Sequence, residues 1–388
     1  MGENQRAFQS KQSNLRHPAL ALLVVLGAAL LATNCQRDDT EDGERCQEPD
    51  FEIEATAICP GESQPHRVFN AFWSAFDRHY ALFDIRLAEQ DWTALGQDAC
   101  KDIDADMSDE ALFGVLLTLA RNFDDGHVQL SAPALDLEED AWVSVYPHQD
   151  DMESIEDNME ARYLDAPLTY GAADEMAWGR VGTVGYLSLT SMDELSDSGD
   201  EGDDIRAASR AIETAMGELA GVQAMIVDVR GNGGGWDTVS LELTRWFAGP
   251  RTLAWSENRR SGPQHDDVGP FEDFFVEESV EGAFEGPVVL LTSGGTFSAA
   301  ETFTLAMAER AQVTVLGERT SGHFSDLLET CLPNGWSLGL SGERYRAADG
   351  VIYEGQGAPV DVEVAFDPEA FAAGQDIMLE AALGLLAP

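Results

Sequence analysis

The sequence predicts an α/β core preceded by a small helical domain, and three observations lead to this class. Between about Arg67 and Asn122, apolar residues recur at spacings of three and four, the period of an amphipathic helix. From Val181 onwards, short apolar strands alternate with helical segments, as in α/β folds. Two of the strands run into glycine-rich turns at residues 230–235 and 293–298. These turns carry much of the functional prediction.

The predicted elements can be placed along the chain in order. The helical stripe consists of Val68, Phe69, Phe72, Trp73, Phe76 and Tyr80. In the core we predict strands at 184–189, 224–229, 288–292 and 314–316, and helices at 205–219, 238–247 and 298–310. Residues 193–204 are acidic and are predicted to form a solvent-exposed loop. The predicted organisation is therefore 1–35 export signal, 36–64 acidic tether, 65–130 helical N-terminal domain, 131–180 irregular connecting segment and 181–388 α/β core.

The composition excludes one class of partner. The chain has 388 residues, 23 Lys and Arg against 71 Asp and Glu, and a formal net charge of -48. Nucleic-acid binding requires basic patches, so we predict no nucleic-acid partner. Lysine is scarce, since Lys11 and Lys101 are the only two in the chain. This scarcity later restricts the choice of a catalytic base.

The N-terminus is typical of an export signal. Lys11 and Arg16 precede an apolar run at residues 19–32, which is shorter than the roughly 20 residues that a membrane-spanning helix needs. Cys35 follows the run, as the lipidated cysteine follows the apolar segment of a bacterial lipoprotein signal. We therefore predict an exported protein, either a lipoprotein on the periplasmic face of a bacterial membrane or a secreted protein. A lipid anchor at Cys35 would be its contact with the membrane.

Four further cysteines indicate disulfides, because an even number in an exported chain favours pairing. Three pairings are open, and the local choice is Cys46 with Cys59, which leaves Cys100 with Cys331. The sequence contains neither C-x-x-C nor H-E-x-x-H. We therefore predict no metal site and no cofactor.

Ser298 has two interpretations. The segment Ser298-Ala-Ala-Glu301 fits a capping box, in which the serine only begins a helix and Glu301 reciprocates. Alternatively, Ser298 is an exposed nucleophile, because small residues surround it and a helix N-terminus favours developing negative charge. The turn Arg230-Gly-Asn-Gly-Gly-Gly235 lacks the Gly-Lys-Ser/Thr of a phosphate loop. It is either a flexible turn or a source of N–H groups for a substrate carbonyl.

Four motifs in order carry a family resemblance. They are Asp228-Val-Arg-Gly-Asn-Gly-Gly-Gly235, Thr296-Phe-Ser-Ala-Ala-Glu301, Gly317-Glu-Arg-Thr-Ser-Gly-His323 and Tyr353-Glu-Gly-Gln-Gly357. This set resembles that of the C-terminal processing (tail-specific) serine peptidases, over about residues 181–365. Within that family it is similar to the branch of the tricorn core and the interphotoreceptor retinoid-binding repeats, without an evident PDZ domain. The resemblance implies a crotonase/ClpP-like superhelical α/β core.

The resemblance also implies the site. The Ser-Lys members carry a lysine about 25 residues after the serine, where this chain has His323, so a Ser-Lys dyad is nearly excluded. A hydroxyl needs an adjacent base to react near neutral pH. In the tricorn-like branch a histidine from the preceding domain and a glutamate near the C-terminal strand serve the serine, and His127 and Glu354 match those positions. His323 remains the alternative base.

We therefore expect a serine endopeptidase that acts on polypeptides through an acyl-enzyme with a Ser298–His127–Glu354 triad. The N–H groups of Gly233, Gly234 and Ala299 would stabilise the oxyanion. The competing hypothesis is a non-catalytic protein of the same fold that binds an apolar ligand. The apolar cleft of such a protein would be lined by Phe297, Trp236 and Phe324.

Overall fold

The structure is a computed structural model that describes Cys46 and residues 49–387. The predicted export signal with Cys35, and residues 36–45, 47 and 48 of the predicted tether, lie outside the described residues. The helices are α1 Gln64–His79, α2 Phe83–Arg86, α3 Trp92–Ala99, α4 Asp109–Ala120, α5 Gln149–Met152, α6 Ile155–Arg162, α7 Glu201–Glu218, α8 Asp237–Thr244, α9 Ala299–Ala308, α10 Pro368–Ala372 and α11 Ile377–Leu385. The strands are β1 Gln129–Ala132, β2 Leu137–Asp140, β3 Thr169–Gly171, β4 Met176–Val181, β5 Val184–Leu189, β6 Ala224–Asp228, β7 Thr252–Arg259, β8 Glu272–Val276, β9 Val288–Thr292, β10 Val313–Gly317, β11 Leu327–Cys331, β12 Ser337–Ser341, β13 Glu343–Ala347 and β14 Val362–Glu363. None of the described helices combines the length and the apolarity needed to cross a membrane.

A seven-stranded sheet forms the centre of the core, in the order β14-β10-β9-β6-β5-β4-β3. Strands β5, β6, β9, β10 and β14 are parallel, and β4 and β3 extend the sheet in antiparallel pairing. Every residue of β5, β6 and β9 is buried, as expected for parallel strands covered on both faces. Because β6 and β9 are neighbours, the glycine-rich turns that follow them meet at one edge of the sheet.

Helices cover both faces of this sheet. On one face α7, α8 and α9 contribute Ile212, Leu243 and Phe303 to a buried cluster with the strands. On the other face Met159 of α6 and Leu379 of α11 belong to a second cluster. Burial of each such side chain stabilises the fold by about 1.5–3 kcal/mol. The predicted alternation of strands and helices is confirmed.

The helices α1 to α4 form one apolar cluster, and the predicted aromatic stripe of α1 is buried in it. Leu130 of β1 and Leu338 of β12 belong to the same cluster. A four-stranded sheet in the order β11-β12-β1-β2 joins them, and β1 pairs with β12 in antiparallel register. The turn before β1 is therefore fixed against strands from the C-terminal part of the chain. The domain boundaries at 65, 130 and 180 stay predictions.

The predicted disulfide pairing is wrong. The structure pairs Cys46 with Cys331 and Cys59 with Cys100, at sequence separations of 285 and 41. The reason is the path of residues 50–59, which sequence spacing does not show. Asp50 N–H donates to the Glu329 carbonyl (2.9 Å), so this segment follows β11. That path leaves Cys46 beside Cys331 and brings Cys59 to the helical cluster.

The predicted acidic loop at 193–204 is only partly correct. Helix α7 begins at Glu201, four residues before the predicted start, and the Asp200 carboxylate caps it by accepting from Asp203 N–H (3.1 Å). Asp204 is fully buried and accepts hydrogen bonds from Ser196 Oγ (2.6 Å) and Trp236 Nε1 (3.2 Å). Its negative charge suggested solvent, but two donors satisfy it inside the protein.

Candidate active site

Ser298 lies at the sharp turn between β9 and α9. Its backbone has φ 53° and ψ -125°, a left-handed conformation that residues with a side chain rarely adopt. Two acceptors hold the Ser298 N–H in place, the His323 carbonyl (3.1 Å) and Glu301 Oε2 (3.3 Å). The structure around the turn therefore maintains a strained backbone, which is characteristic of functional sites.

The turn after β6 packs directly on this serine. Gly234 has φ 100°, and a Cβ at this position would lie 2.6 Å from Ser298 Cβ and 2.9 Å from Ala299 N. Only glycine fits this approach. Asn232 fixes the turn: its carbonyl accepts from Phe297 N–H (3.0 Å), and its side chain accepts from Gly234 N–H (2.8 Å).

The three predicted oxyanion donors are not equivalent. The Gly234 N–H is already donated to Asn232. The N–H groups of Gly233 and Ala299 have no hydrogen-bond partner among the described residues. Ala299 is the first residue of α9, so its N–H is one of the groups that a helix leaves unpaired. Gly233 and Ala299 therefore remain available to a developing negative charge.

His127 is brought to Ser298 by the turn before β1. Its Nε2 lies 3.1 Å from Ser298 Oγ, within hydrogen-bond distance. The His127 ring packs on Phe297 with ring centroids 4.7 Å apart. The backbone N–H of His127 donates to Asp125 Oδ1 (3.0 Å). The Nδ1 atom is buried and has no partner among the described residues. The imidazole is thus positioned by its backbone and by packing.

Burial is the main influence on the charge of His127. It lowers the pKa of His127 below its ordinary value of 6.5; the carboxylates of Asp125 and Asp326 oppose the shift, and the Arg86 guanidinium adds to it. The imidazole is therefore neutral at neutral pH. A neutral imidazole can accept a proton from a neighbouring hydroxyl.

His323, the alternative base, contacts Ser298 through its backbone carbonyl. Its ring stacks on Phe297 and lies against Trp142, with centroid distances of 5.1 and 4.8 Å. Neither ring nitrogen has a partner among the described residues. Burial, together with Arg86, lowers the pKa of His323 to about 3. No hydrogen bond among the described contacts joins this ring to Ser298 Oγ.

Glu354 is buried, and its hydrogen-bond partners do not include His127. Its Oε1 pairs with the Arg86 guanidinium, and its Oε2 accepts from Phe324 N–H (2.9 Å). Burial raises the pKa of Glu354 to about 7, and Arg86 opposes this by favouring the carboxylate. Arg86 also donates to the carbonyls of Asp124 (2.9 Å) and Gly322 (2.6 Å). Glu354 is thus linked to the His127 turn through Arg86.

Sequence reasoning missed two residues and underrated a third. Arg86 lies in the short helix α2 with no motif around it, so no signal was available. Asp125 stands two residues before His127; its Oδ2 accepts from Tyr80 (2.7 Å) and Ser341 (2.7 Å), and adjacency was the available signal. Glu301 was assigned only to a helix cap. It also accepts from Thr320, Ser321, Gly322 and His323.

Two further points concern metal-binding side chains and the residues of the predicted apolar cleft. No group of three or more His, Cys, Asp and Glu side chains in the described part of the chain could hold a metal ion. Phe324, one of the three residues expected to line an apolar cleft, is 2% exposed and belongs to the core. Trp236 is 37% exposed, and its indole N–H is bonded to Asp204.

Known proteins resemble this chain in sequence and in fold. The profile of Peptidase family S41 matches residues 183–364. A carboxyl-terminal-processing protease of Synechocystis is 30% identical over 105 residues, a segment that covers 27% of this chain and 22% of that protein. The chain thus matches about a fifth of the length of this curated relative.

Solved structures show the same fold over most of the chain. A putative peptidase from Parabacteroides merdae has a TM-score of 0.72 and 25% identity, with 84% of this chain and 98% of that chain covered. Mature CPAF has a TM-score of 0.62 and 10% identity, with 83% and 96% covered. The predicted crotonase-like α/β class is confirmed.

The fold and the matched profile are those of serine-type peptidases. The match lies in the α/β core, where residues 183–364 resemble Peptidase family S41.

Proposed function

We propose that this protein is a serine endopeptidase that cleaves polypeptides through an acyl-enzyme, with Ser298 as nucleophile and His127 as general base. The observation that carries the proposal is the 3.1 Å separation of His127 Nε2 and Ser298 Oγ at a strained turn. A serine hydroxyl within hydrogen-bond distance of a neutral imidazole is the arrangement that activates a hydroxyl nucleophile.

The first half of the reaction uses both groups in turn. Ser298 Oγ attacks the peptide carbonyl carbon while its proton passes to His127 Nε2. The carbonyl oxygen becomes an oxyanion, which the free N–H groups of Gly233 and Ala299 stabilise. The imidazolium then gives its proton to the leaving amine, the C–N bond breaks, and an ester remains on Ser298.

Water completes the cycle by the same route. His127 accepts a proton from water as the water oxygen attacks the ester. The second oxyanion uses the same N–H groups, and the proton on His127 returns to Ser298 as the carboxylic acid product leaves. No metal or cofactor takes part in this scheme.

Glu354 acts in this proposal as a positioning residue. It holds Arg86, which donates to the Asp124 carbonyl in the turn that carries His127. The Ser-His-Glu set of the sequence prediction is retained in this indirect form. Glu354 does not accept from His127 Nδ1–H, because its two oxygens bond Arg86 and the Phe324 N–H, and Nδ1 has no acceptor among the described residues.

The localisation prediction also stays a proposal. We infer export with a lipid anchor at Cys35 on the periplasmic face of a bacterial membrane, or secretion, from the sequence of residues 1–35. Two disulfides in the described structure support an oxidising compartment.

Digestion of a mixed peptide library tests the proposed activity. The wild-type protein is expected to create new peptide termini, identified by mass spectrometry, and Ser298→Ala is expected to abolish them. Ser63→Ala is the matched control, because Ser63 Oγ also contacts a histidine, His66 Nδ1 (2.6 Å), but at an ordinary helix start. Undiminished cleavage by folded Ser298→Ala protein would refute the assignment.

A further inference from the structure

A group of four carboxylates lies beside the nucleophile and has no part in the proposed reaction. We propose that Asp237, Glu257, Asp326 and Glu343 form an acidic subsite that receives a basic side chain, arginine or lysine, of the polypeptide substrate. This inference rests on the proposed peptidase function and names the substrate class of the same site. The four residues come from different elements: Asp237 begins α8, Glu257 lies in β7, Asp326 precedes β11 and Glu343 begins β13.

The first step of the argument is proximity to Ser298. Thr302 Oγ1 donates to Asp237 Oδ1 (2.7 Å), and Thr302 lies four residues after Ser298. Residues four apart share one face of a helix and are separated by roughly 6 Å along its axis. Asp237 also follows Gly234, whose backbone touches Ser298, by three residues. The acidic subsite therefore adjoins the point at which a peptide would be cleaved.

The second step is that the four carboxylates interact electrostatically, and that Glu257 and Glu343 lie on the same face of the β7–β13 pair, because Glu257 stands opposite Tyr345. The negative charge of Asp326 raises the pKa of Asp237, Glu257 and Glu343, in each case after the effect of burial. The same charge opposes the lowering of the pKa of His127. Asp326 is thus electrostatically close both to the other three members and to the reactive histidine.

The third step is an imbalance of charge in a partly buried space. Arg259 pairs with Glu343 and lies 3.9 Å from Glu257, and no salt bridge among the described residues joins Asp237 or Asp326 to a cation. The Glu343 side chain is 2% exposed, and its Oε2 is buried with no partner among the described residues. A buried carboxylate oxygen without a donor is unfavourable. When Glu343 is ionised, this oxygen is an acceptor that a bound cation can pair with.

The shape favours a long basic side chain over a metal ion. Asp326 is exposed and Asp237 half-buried, whereas Glu257 and Glu343 are buried, so the four carboxylates extend from the surface into the protein. In the described chain no three of these groups converge closely enough to ligate a metal. A guanidinium carries five donors on a flexible stem and can bond several separated carboxylates.

Burial and the neighbouring negative charges favour the protonated form of two of these carboxyl groups. Burial and Asp326 raise the pKa of Asp237 to about 7, and burial, Asp326 and Glu257 raise that of Glu343 to about 8. Arg259, the Tyr345 hydroxyl and Thr302 are the groups that oppose these shifts or bond the carboxylates. A basic side chain replaces the protons, so its binding strengthens as the pH rises through 7 to 8.

Matched peptides test the acidic subsite. Arginine and its neutral isostere citrulline are placed in turn at each position flanking the cleaved bond of an otherwise identical quenched peptide. The ratio of kcat/KM for arginine over citrulline is expected to reach about tenfold or more at one position, because hydrogen bonds to charged groups are strong. Asp326→Asn, an exposed substitution, should reduce this ratio towards one, and Asp237→Asn should do the same. The control is Glu329→Gln, which removes a carboxylate that lies near Asp50 and Glu138 instead. This variant should leave the ratio unchanged.

Binding to the inactive Ser298→Ala variant separates the two proposals. Selective binding of the arginine peptide that depends on Asp326, without cleavage by the wild-type protein, would support the subsite and refute the peptidase. Equal cleavage of both peptides at every position, or a ratio that Asp326→Asn leaves unchanged, would overturn the subsite and leave the peptidase intact. Absence of both cleavage and selective binding would refute both.

Discussion

At the scale of single residues, the site depends on keeping an imidazole neutral inside the protein. Burial disfavours the charged form of His127, and Arg86 acts in the same direction. Asp125 and Asp326 act in the opposite direction without cancelling the shift. In the proposed mechanism, His127 can therefore accept a proton over a wider acidic range than an exposed histidine could.

This balance predicts the acid limb of the pH profile. A lowered pKa means that His127 becomes protonated, and inactive as a base, only below pH 6.5. We expect kcat/KM to fall as the pH decreases, with a midpoint below 6.5, measured with a neutral quenched peptide. Asp326→Asn removes a charge that favours the imidazolium, so it should move the midpoint to lower pH. A midpoint above 7 would contradict the buried, neutral imidazole.

The Arg86–Glu354 pair predicts a large effect on stability. Their side chains are 9% and 1% exposed, so Arg86→Met leaves a carboxyl group buried without its cation. We expect the free energy of unfolding to fall by about 3–5 kcal/mol in urea titrations. Arg78→Met, which breaks the exposed pair with Glu54, is the control and should cost less than about 1 kcal/mol. Similar losses in the free energy of unfolding for the two variants would show that the buried pair stabilises the protein no more than the exposed pair does.

At the scale of elements, two turns from neighbouring parallel strands form the site. The turn after β6 supplies N–H groups, and the turn after β9 supplies the serine. A third turn, before β1, adds His127 because β1 pairs with β12. The site therefore depends on how closely these turns approach one another.

The close packing of the turn after β6 on the turn after β9 predicts that one added methyl group, in Gly234→Ala, lowers the activity. In Gly234→Ala the new Cβ would meet Ser298 Cβ at 2.6 Å and would sit on a residue with φ 100°. We expect kcat/KM to fall by about 10²-fold or more, because the oxyanion donors move. Gly114→Ala is the matched control: a Cβ there meets nothing within 4 Å, and its activity should equal that of the wild type. Full activity of Gly234→Ala would rule out this packing.

Much of this level was predictable from the sequence, because local patterns determine it. The apolar runs fixed the positions of β5 and β9, and the spacing of Ser298 and Glu301 located the start of α9. The strands β7, β8 and β13 escaped prediction. Burial alternates along β13, but most of its residues are charged or polar, and it pairs with β7, a distant segment of the chain. The acidic subsite escaped prediction for the same reason.

At the scale of the whole molecule, distant parts of the chain are held together around the site. Arg86 joins α2 to Glu354, and Cys46 is bonded to Cys331 across 285 residues of sequence. Such contacts follow from the path of the chain, so neither the disulfides nor the role of Arg86 could be obtained from sequence spacing. His127 was found because a family resemblance placed it, although a lone histidine in a turn gives no such signal.

The disulfide within the helical region predicts a stability effect. Cys59 and Cys100 enclose a segment with a separation of 41 residues, and the bond restricts the unfolded chain. The double variant Cys59→Ser, Cys100→Ser should lose about 2–4 kcal/mol in free energy of unfolding. Mass analysis without reductant should still show the Cys46–Cys331 bond in this variant. An unchanged unfolding midpoint would mean that the bond does not constrain the unfolded state.

The most direct measurement of the central claim is the rate at which a serine-directed phosphonate forms an adduct, with the modified residue mapped by mass spectrometry. We predict an adduct on Ser298 in the wild-type protein and none on Ser63, although Ser63 also contacts a histidine. His127→Gln should slow the reaction by at least about 10²-fold, while His66→Gln should not change it. Folded wild-type protein that forms no adduct at Ser298, or a His127→Gln variant that reacts at the wild-type rate, would contradict the assignment of Ser298 and His127.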